Sequence, residues 1–205
     1  MTRHRPADSE LIRAREIKPP PGASFWVFAY GSLMWRPGFD YVEARPALLR
    51  GYHRAFCITS IHYRGSVECP GLVLGLDRGG SCRGRAFLIA PERAVPVARY
   101  LHEREMVSGV YEPRWVSLTT TAGPVTAVTY VADRHHAEYA GKLPEDRMVA
   151  MIRRGRGLAG SNRDYLFHTV RHLDDLGIAD GPLHHLLRQV EAAEKAASAP
   201  DRAGA

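Results

Sequence analysis

A chain of 205 residues, 45% hydrophobic and 24% charged, reads as a soluble globular protein long enough to bury one core. No apolar run nears the roughly 20 residues that a membrane helix needs, and Cys57, Cys69 and Cys82 are odd in number and lack a Cys-x-x-Cys spacing, against a zinc ribbon or a disulfide framework. A formal net charge of +6 admits an anionic partner, nucleic acid or a small acidic metabolite, without choosing between them.

Residues 1–24 form an extension of mixed charge, with one helical turn expected at Leu11–Ile17 and a stop at Pro19-Pro20-Pro21-Gly22. It has the pattern of neither a secretory signal nor a transit peptide, so a cytoplasmic location is expected. The run Phe25–Leu33 is then the clearest early signal: an aromatic, β-branched strand cut off by Gly31 and Ser32, where the backbone can turn its N–H groups outward and hold an anion. Short strands are expected at Phe25–Tyr30, Ala47–Leu49, His53–Ser60, Leu72–Leu76 and Arg85–Ile89, separated by glycines and prolines. Pro91–Val107 turns helical. Arg114–Thr120 and Val125–Val131 return to strand, with Ala122-Gly123-Pro124 as a hairpin turn. Three more helices are expected, at Pro144–Arg153, at Ser161–Leu176 with a Ser161 or Asn162 cap, and at Pro182–Ala197, before a small, polar tail. Strands first and helices later give an α+β fold, a domain over 25–180 followed by a C-terminal helix and tail over 181–205, and the glycine-punctuated strands suit a small barrel.

The helix near residue 100 carries the strongest chemical signal. Pro96 fits only its first turn, and Val97, Tyr100, Leu101 and Glu105 follow at i, i+3, i+4 and i+8, which puts Glu105 on the apolar face while Glu103 points elsewhere. A desolvated carboxylate at the negative end of a helix has a raised pKa and suits a general base. Pairing with Arg104, Arg114 or another arginine would act in the opposite sense. Glu112 and Glu68 are weaker candidates for the same role.

Several other patterns carry less. Gly155-Arg156-Gly157-Leu158-Ala159-Gly160 spells a dinucleotide fingerprint, but a helix precedes it where a strand is required. Arg153, Arg154, Arg156 and Arg163 lack the aromatic interleaving of a nucleic-acid motif, so no nucleic acid and no membrane is expected as partner. His168 and His172 share a helix face but have no further ligand at a known spacing, so no metal is expected. Ser32 lacks the elbow of a hydrolase nucleophile.

Tyr30-Gly31-Ser32-Leu33-Met34-Trp35, Arg64-Gly65-Ser66, Pro70-Gly71-Leu72-Val73-Leu74-Gly75-Leu76, Arg104-Glu105-Met106 and Ser161-Asn162-Arg163-Asp164-Tyr165-Leu166, in this order, resemble the ChaC family of γ-glutamylcyclotransferases in its bacterial form, over roughly residues 26–178. The resemblance implies a small mixed or antiparallel β-barrel flanked by helices and a helical C-terminal part. It also implies cleavage of glutathione to 5-oxoproline and cysteinylglycine without a metal or organic cofactor. Carried over by residue, Tyr30, Gly31, Ser32 and Leu33 hold the γ-glutamyl group and Glu105 is the catalytic carboxylate. Many members read Tyr-Leu-Asp and an aromatic before Arg-Glu, where this chain has Tyr100-Leu101-His102-Glu103.

The chemistry explains the residues. The α-amine of a γ-glutamyl amide can attack its own γ-carbonyl, so the nucleophile arrives with the substrate. The protein must fold the chain, which contributes up to roughly 7–11 kcal/mol through proximity, and move protons. An α-ammonium near pKa ~8 and a glutamate near ~4.3 differ by about 5 kcal/mol, a gap that a raised Glu105 pKa closes. Tyr111 and Tyr139 are candidates either to hold the bound amide or to serve the fold. Arg64 is a candidate for the glycine carboxylate of glutathione, or a surface arginine. A cyclotransferase for another γ-glutamyl amine or peptide, and a non-catalytic binding module of the same fold, are the alternative functions.

Overall fold

The structure, a computed structural model, describes residues 15–198. The expected turn at Leu11–Ile17 begins outside these residues, and the end of the polar tail lies beyond them. Among the described residues, those up to Arg54 together with Leu74–Tyr139 make one compact unit, and Ala55–Val73 together with those from Ala140 onward make another.

Five strands close into a barrel in the order β1-β3-β2-β4-β5: β1 (Phe25–Ala29), β2 (Glu43–Ser60), β3 (Gly71–Ile89), β4 (Tyr111–Thr120) and β5 (Gly123–Ala132). The β1–β3, β2–β4 and β4–β5 pairs are antiparallel, and β1 meets β5 in parallel, Val27 opposite Val128, so the sheet is mixed. Closure removes the open edges that such short-chain sheets would otherwise present. Phe25, Val27, Phe28 and Ala29 are buried along with Phe87, Ile89, Leu118 and Ala127, which is why an unbroken apolar run was needed at β1.

The barrel strands are fewer and longer than the sequence suggests. Ala47–Leu49 and His53–Ser60 belong to one 18-residue strand, and Leu72–Leu76 and Arg85–Ile89 to one 19-residue strand. Gly51, Gly79 and Gly80, with φ of +84°, +98° and +69°, lie inside these strands. In a small barrel such positions absorb strand curvature, whereas in an open sheet they would end the strand. The hairpin turn is likewise shifted: Gly123 already pairs with Thr120, leaving Thr121-Ala122 as the loop.

Helix α1 (Ala94–Glu105) follows a 3-10 turn at Pro91–Arg93, with Pro96 in its first turn, where a missing N–H costs nothing. The second unit holds α2 (Glu145–Arg154), α3 (Asn162–Asp175) and α4 (Gly181–Ser198). Ser161 caps α3 by accepting the Asp164 amide at 3.0 Å. Residues Arg156–Gly157 (β6) and Gly160–Ser161 (β7) pair as a small hairpin, so the glycine-rich run is not a strand-to-helix phosphate loop.

Asn162 is fully buried, and its amide acts as a strand partner. Its Oδ1 accepts the Leu72 N–H and its Nδ2 donates to the Leu72 carbonyl, both at 2.6 Å. Removing it strands a donor and an acceptor away from water. Asn162→Ala should therefore lose roughly 2–4 kcal/mol of stability, measured by denaturant titration; a loss below that range would mean water replaces both bonds.

Candidate active site

The site is built where β1 stops. After Tyr30 the chain enters a 3-10 turn, Ser32–Met34, in which the Met34 N–H donates to the Gly31 carbonyl at 2.9 Å. The amides of Gly31, Ser32 and Leu33 open this turn and have no partner within it, so they are placed to receive an anion. Beneath them lies Arg54, only 4% exposed, which donates from Nε to the Tyr30 carbonyl at 2.5 Å and from Nη2 to the Arg83 carbonyl at 2.6 Å. Its cation adds positive potential to the loop that those carbonyls fix. In the sequence Arg54 sits in a strand run and gives no sign of being buried.

Glu105 is the last residue of α1, whose inner face is made by Ala94, Val97, Ala98 and Leu101. The expected face assignment holds: Glu103 is exposed, and the Glu105 side chain is only 19% exposed. Burial pushes its carboxyl above the ordinary glutamate value. Arg104, with Nε 3.2 Å from Glu105 Oε1, pulls in the opposite direction and does not overcome burial. Both tendencies weighed from the sequence are present, and desolvation wins.

Arg104 also joins the two halves of the site. Its Nη2 donates to Ser32 Oγ at 2.9 Å, and its Nη1 donates to Tyr100 Oη at 2.7 Å and to the Arg36 carbonyl at 3.0 Å. The guanidinium that touches the Glu105 carboxylate is therefore hydrogen-bonded to the loop 72 residues earlier. The planar fork of arginine makes this possible, because its five N–H groups reach several acceptors at once.

The remaining candidates are placed differently. Tyr111 donates to the Leu74 carbonyl at 2.6 Å, and a Cβ at Gly31 would lie 3.7 Å from Leu74 Cδ1, so this tyrosine anchors the strand beside the loop. Tyr139 donates to Asp77 Oδ2 at 2.9 Å, in a cluster with Arg134 on the other oxygen at 2.7 Å. Arg64 belongs to the second unit, where it holds the carbonyls of Ala159 and Ser161 and lies 5.0 Å from the centre of the Tyr165 ring. Glu112 is ion-paired with Arg114 at 2.5 Å, and Glu68 is exposed, so neither has the desolvated setting of Glu105. Tyr130, which the sequence presents as one more strand residue, is buried on β5.

A family model described as ChaC-like protein matches residues 25–193. The chain belongs to the ChaC-like family. Over 173 residues this ChaC-like chain is 35% identical to the glutathione-specific γ-glutamylcyclotransferase of Escherichia coli, covering 84% of its own length and 75% of the relative. Over 163 residues it is 35% identical to glutathione-specific γ-glutamylcyclotransferase 1 of Homo sapiens, covering 72% and 73%. A crystal structure of a γ-glutamylcyclotransferase specific to glutathione from yeast shares the fold, with a TM-score of 0.75 at 22% identity, over 83% of this chain and 96% of that one.

Arg104→Gln removes the cation that holds the Glu105 pKa down. The Glu105 carboxyl, followed by carbon-13 NMR and assigned by its loss in Glu105→Gln, should titrate at higher pH in this variant than in the wild type. An unchanged or lower titration would break the link between the two groups.

Proposed function

We propose that this ChaC-like chain cleaves glutathione by cyclising its γ-glutamyl group, releasing 5-oxoproline and cysteinylglycine. The observation that carries the reading is the Arg104 guanidinium, which bonds both the Ser32 end of the anion-binding loop and the Glu105 carboxylate. The loop amides and the Arg54 charge behind them suit the α-carboxylate of the γ-glutamyl group. Binding there holds the α-nitrogen and the γ-carbonyl carbon in the bent form that closes a five-membered ring.

Glu105 then works as a proton carrier. It takes a proton from the α-ammonium, the freed amine attacks the γ-carbonyl carbon, and the cysteinyl nitrogen leaves after gaining a proton from the same carboxyl group. Over the cycle the α-nitrogen loses two protons and the departing nitrogen gains two, so no water is consumed and Glu105 ends as it began. The raised pKa brings the carboxylate closer to the ammonium in proton affinity, which lowers the cost of the first transfer. With the nucleophile and the leaving group both in the substrate, the chemistry calls for no cofactor. Cys57, Cys69 and Cys82 are free thiols, which fits the cytoplasmic setting that we include in the proposal.

Glu105→Gln tests the reading. Removing the proton carrier should reduce 5-oxoproline release from glutathione by about 10²–10⁴-fold. Folding raises this carboxyl's pKa, so above the ordinary glutamate range it is the ionised form that folding disfavours, and the neutral glutamine should leave stability equal or higher. Turnover near the wild-type rate would refute the role of Glu105.

A further inference from the structure

Arg104 and Glu105 are consecutive residues of a helix, and successive side chains leave a helix about 100° apart, so the two do not naturally face each other. Their contact, Nε to Oε1 at 3.2 Å, therefore needs a hold on the guanidinium from outside the pair. Ser32 Oγ and the carbonyls of Arg36 and Pro37 all belong to the segment that follows β1, and they draw the guanidinium toward that segment. Tyr100 is the acceptor on α1 itself, one turn before Arg104, and its Oη accepts from Nη1 at 2.7 Å. That hydroxyl is in turn fixed. The half-buried Tyr100 ring meets Phe39 edge to face at 6.2 Å, and Phe39 meets the fully buried Phe87 in the same way at 5.9 Å. Gly38, at φ +76°, closes over the oxygen so tightly that a Cβ there would collide with it. A planar fork held at Nη1 has fixed directions for Nε and Nη2.

We propose that Tyr100 is a positioning residue: its hydroxyl holds the Arg104 guanidinium over the end of α1, so that one plane of N–H groups faces Glu105 and Ser32 together. For its effect on turnover the inference rests on the cyclotransferase reading. Tyr100 acts through Arg104 and exchanges no proton. With the hydroxyl gone, the remaining neutral acceptors all lie on the segment after β1, and the guanidinium moves toward them and away from Glu105. Burial and Arg104 are the two opposed influences on the Glu105 carboxyl. Glu103 is exposed, and the Ser32 hydroxyl and the two carbonyls do not titrate. A guanidinium that moves away therefore leaves burial less opposed, and the carboxyl gains proton affinity.

Tyr100→Phe in the full chain is the test, since it keeps the ring and removes only the hydroxyl. The Glu105 carboxyl, followed by carbon-13 NMR, should titrate at higher pH than in the wild type, shifted by less than in Arg104→Gln. The acid limb of kcat/KM for glutathione should move upward with it. In the Arg104→Gln background the same substitution should add nothing, because the group it acts through is gone. A titration left unchanged or lowered by Tyr100→Phe would overturn the inference, and a lowered melting temperature beside it would assign the hydroxyl to the fold alone. A further shift in the Arg104→Gln background would also overturn it, by showing that Tyr100 acts on Glu105 directly. A folded wild type that forms no 5-oxoproline would refute the cyclotransferase reading and any effect of Tyr100 on turnover, while the NMR titration would still decide what the hydroxyl holds.

Discussion

The site depends on a single shared guanidinium. Arg104 lies beside an acid that would otherwise be a buried charge, and the same plane of N–H groups bonds Ser32, Tyr100 and a carbonyl of the segment after the loop. A lysine could neutralise Glu105, but as a point charge it could not also fix the direction of the loop. The arrangement is therefore one of position as much as of charge: the end of β1 and the end of α1 are held in one geometry by a side chain from the second that reaches the first.

The balance at Glu105 gives this geometry its chemical use. A carboxylate in contact with an arginine is ordinarily a strong acid and a poor base. Here burial acts more strongly than the arginine, so the group is raised in proton affinity while still held in place. Arg54 and the first amides of the 3-10 turn supply positive potential on the loop side, while on the helix side Glu105 carries the carboxyl of raised proton affinity. The division suits a reaction in which one end of the substrate is only held and the other end exchanges protons.

Much of this was legible in the sequence, for identifiable reasons. Glu105 stood out because a charged residue broke an i, i+3, i+4, i+8 apolar pattern, and local periodicity survives folding. The caps and prolines that bound α1, α2 and α3 are likewise local signals. What stayed hidden was long-range. Arg104 finds Ser32 across 72 residues, and nothing in either neighbourhood announces the pair. Arg54 and Tyr130 read as ordinary strand residues until closure of the barrel fixes their surroundings. Glycines punctuate strands in a sequence, so Gly51, Gly79 and Gly80 mark breaks there, whereas the long, tightly curved strands run through them at positive φ. Tyr111, Tyr139 and Arg64 have the right chemistry for binding, but the structure gives their polar groups work in the protein itself, on Leu74, Asp77, and Ala159 and Ser161.

The central claim is that a carboxyl of raised pKa acts as the base, and the pH dependence of kcat/KM for glutathione tests it most directly. A base must be ionised to accept a proton, so activity should fall as pH drops through its pKa. The acid limb in the free enzyme should lie clearly above 4.5, the ordinary value for this side chain. An acid limb at or below 4.5 would contradict the account, because it would mean that Arg104, and not burial, sets the proton affinity of Glu105.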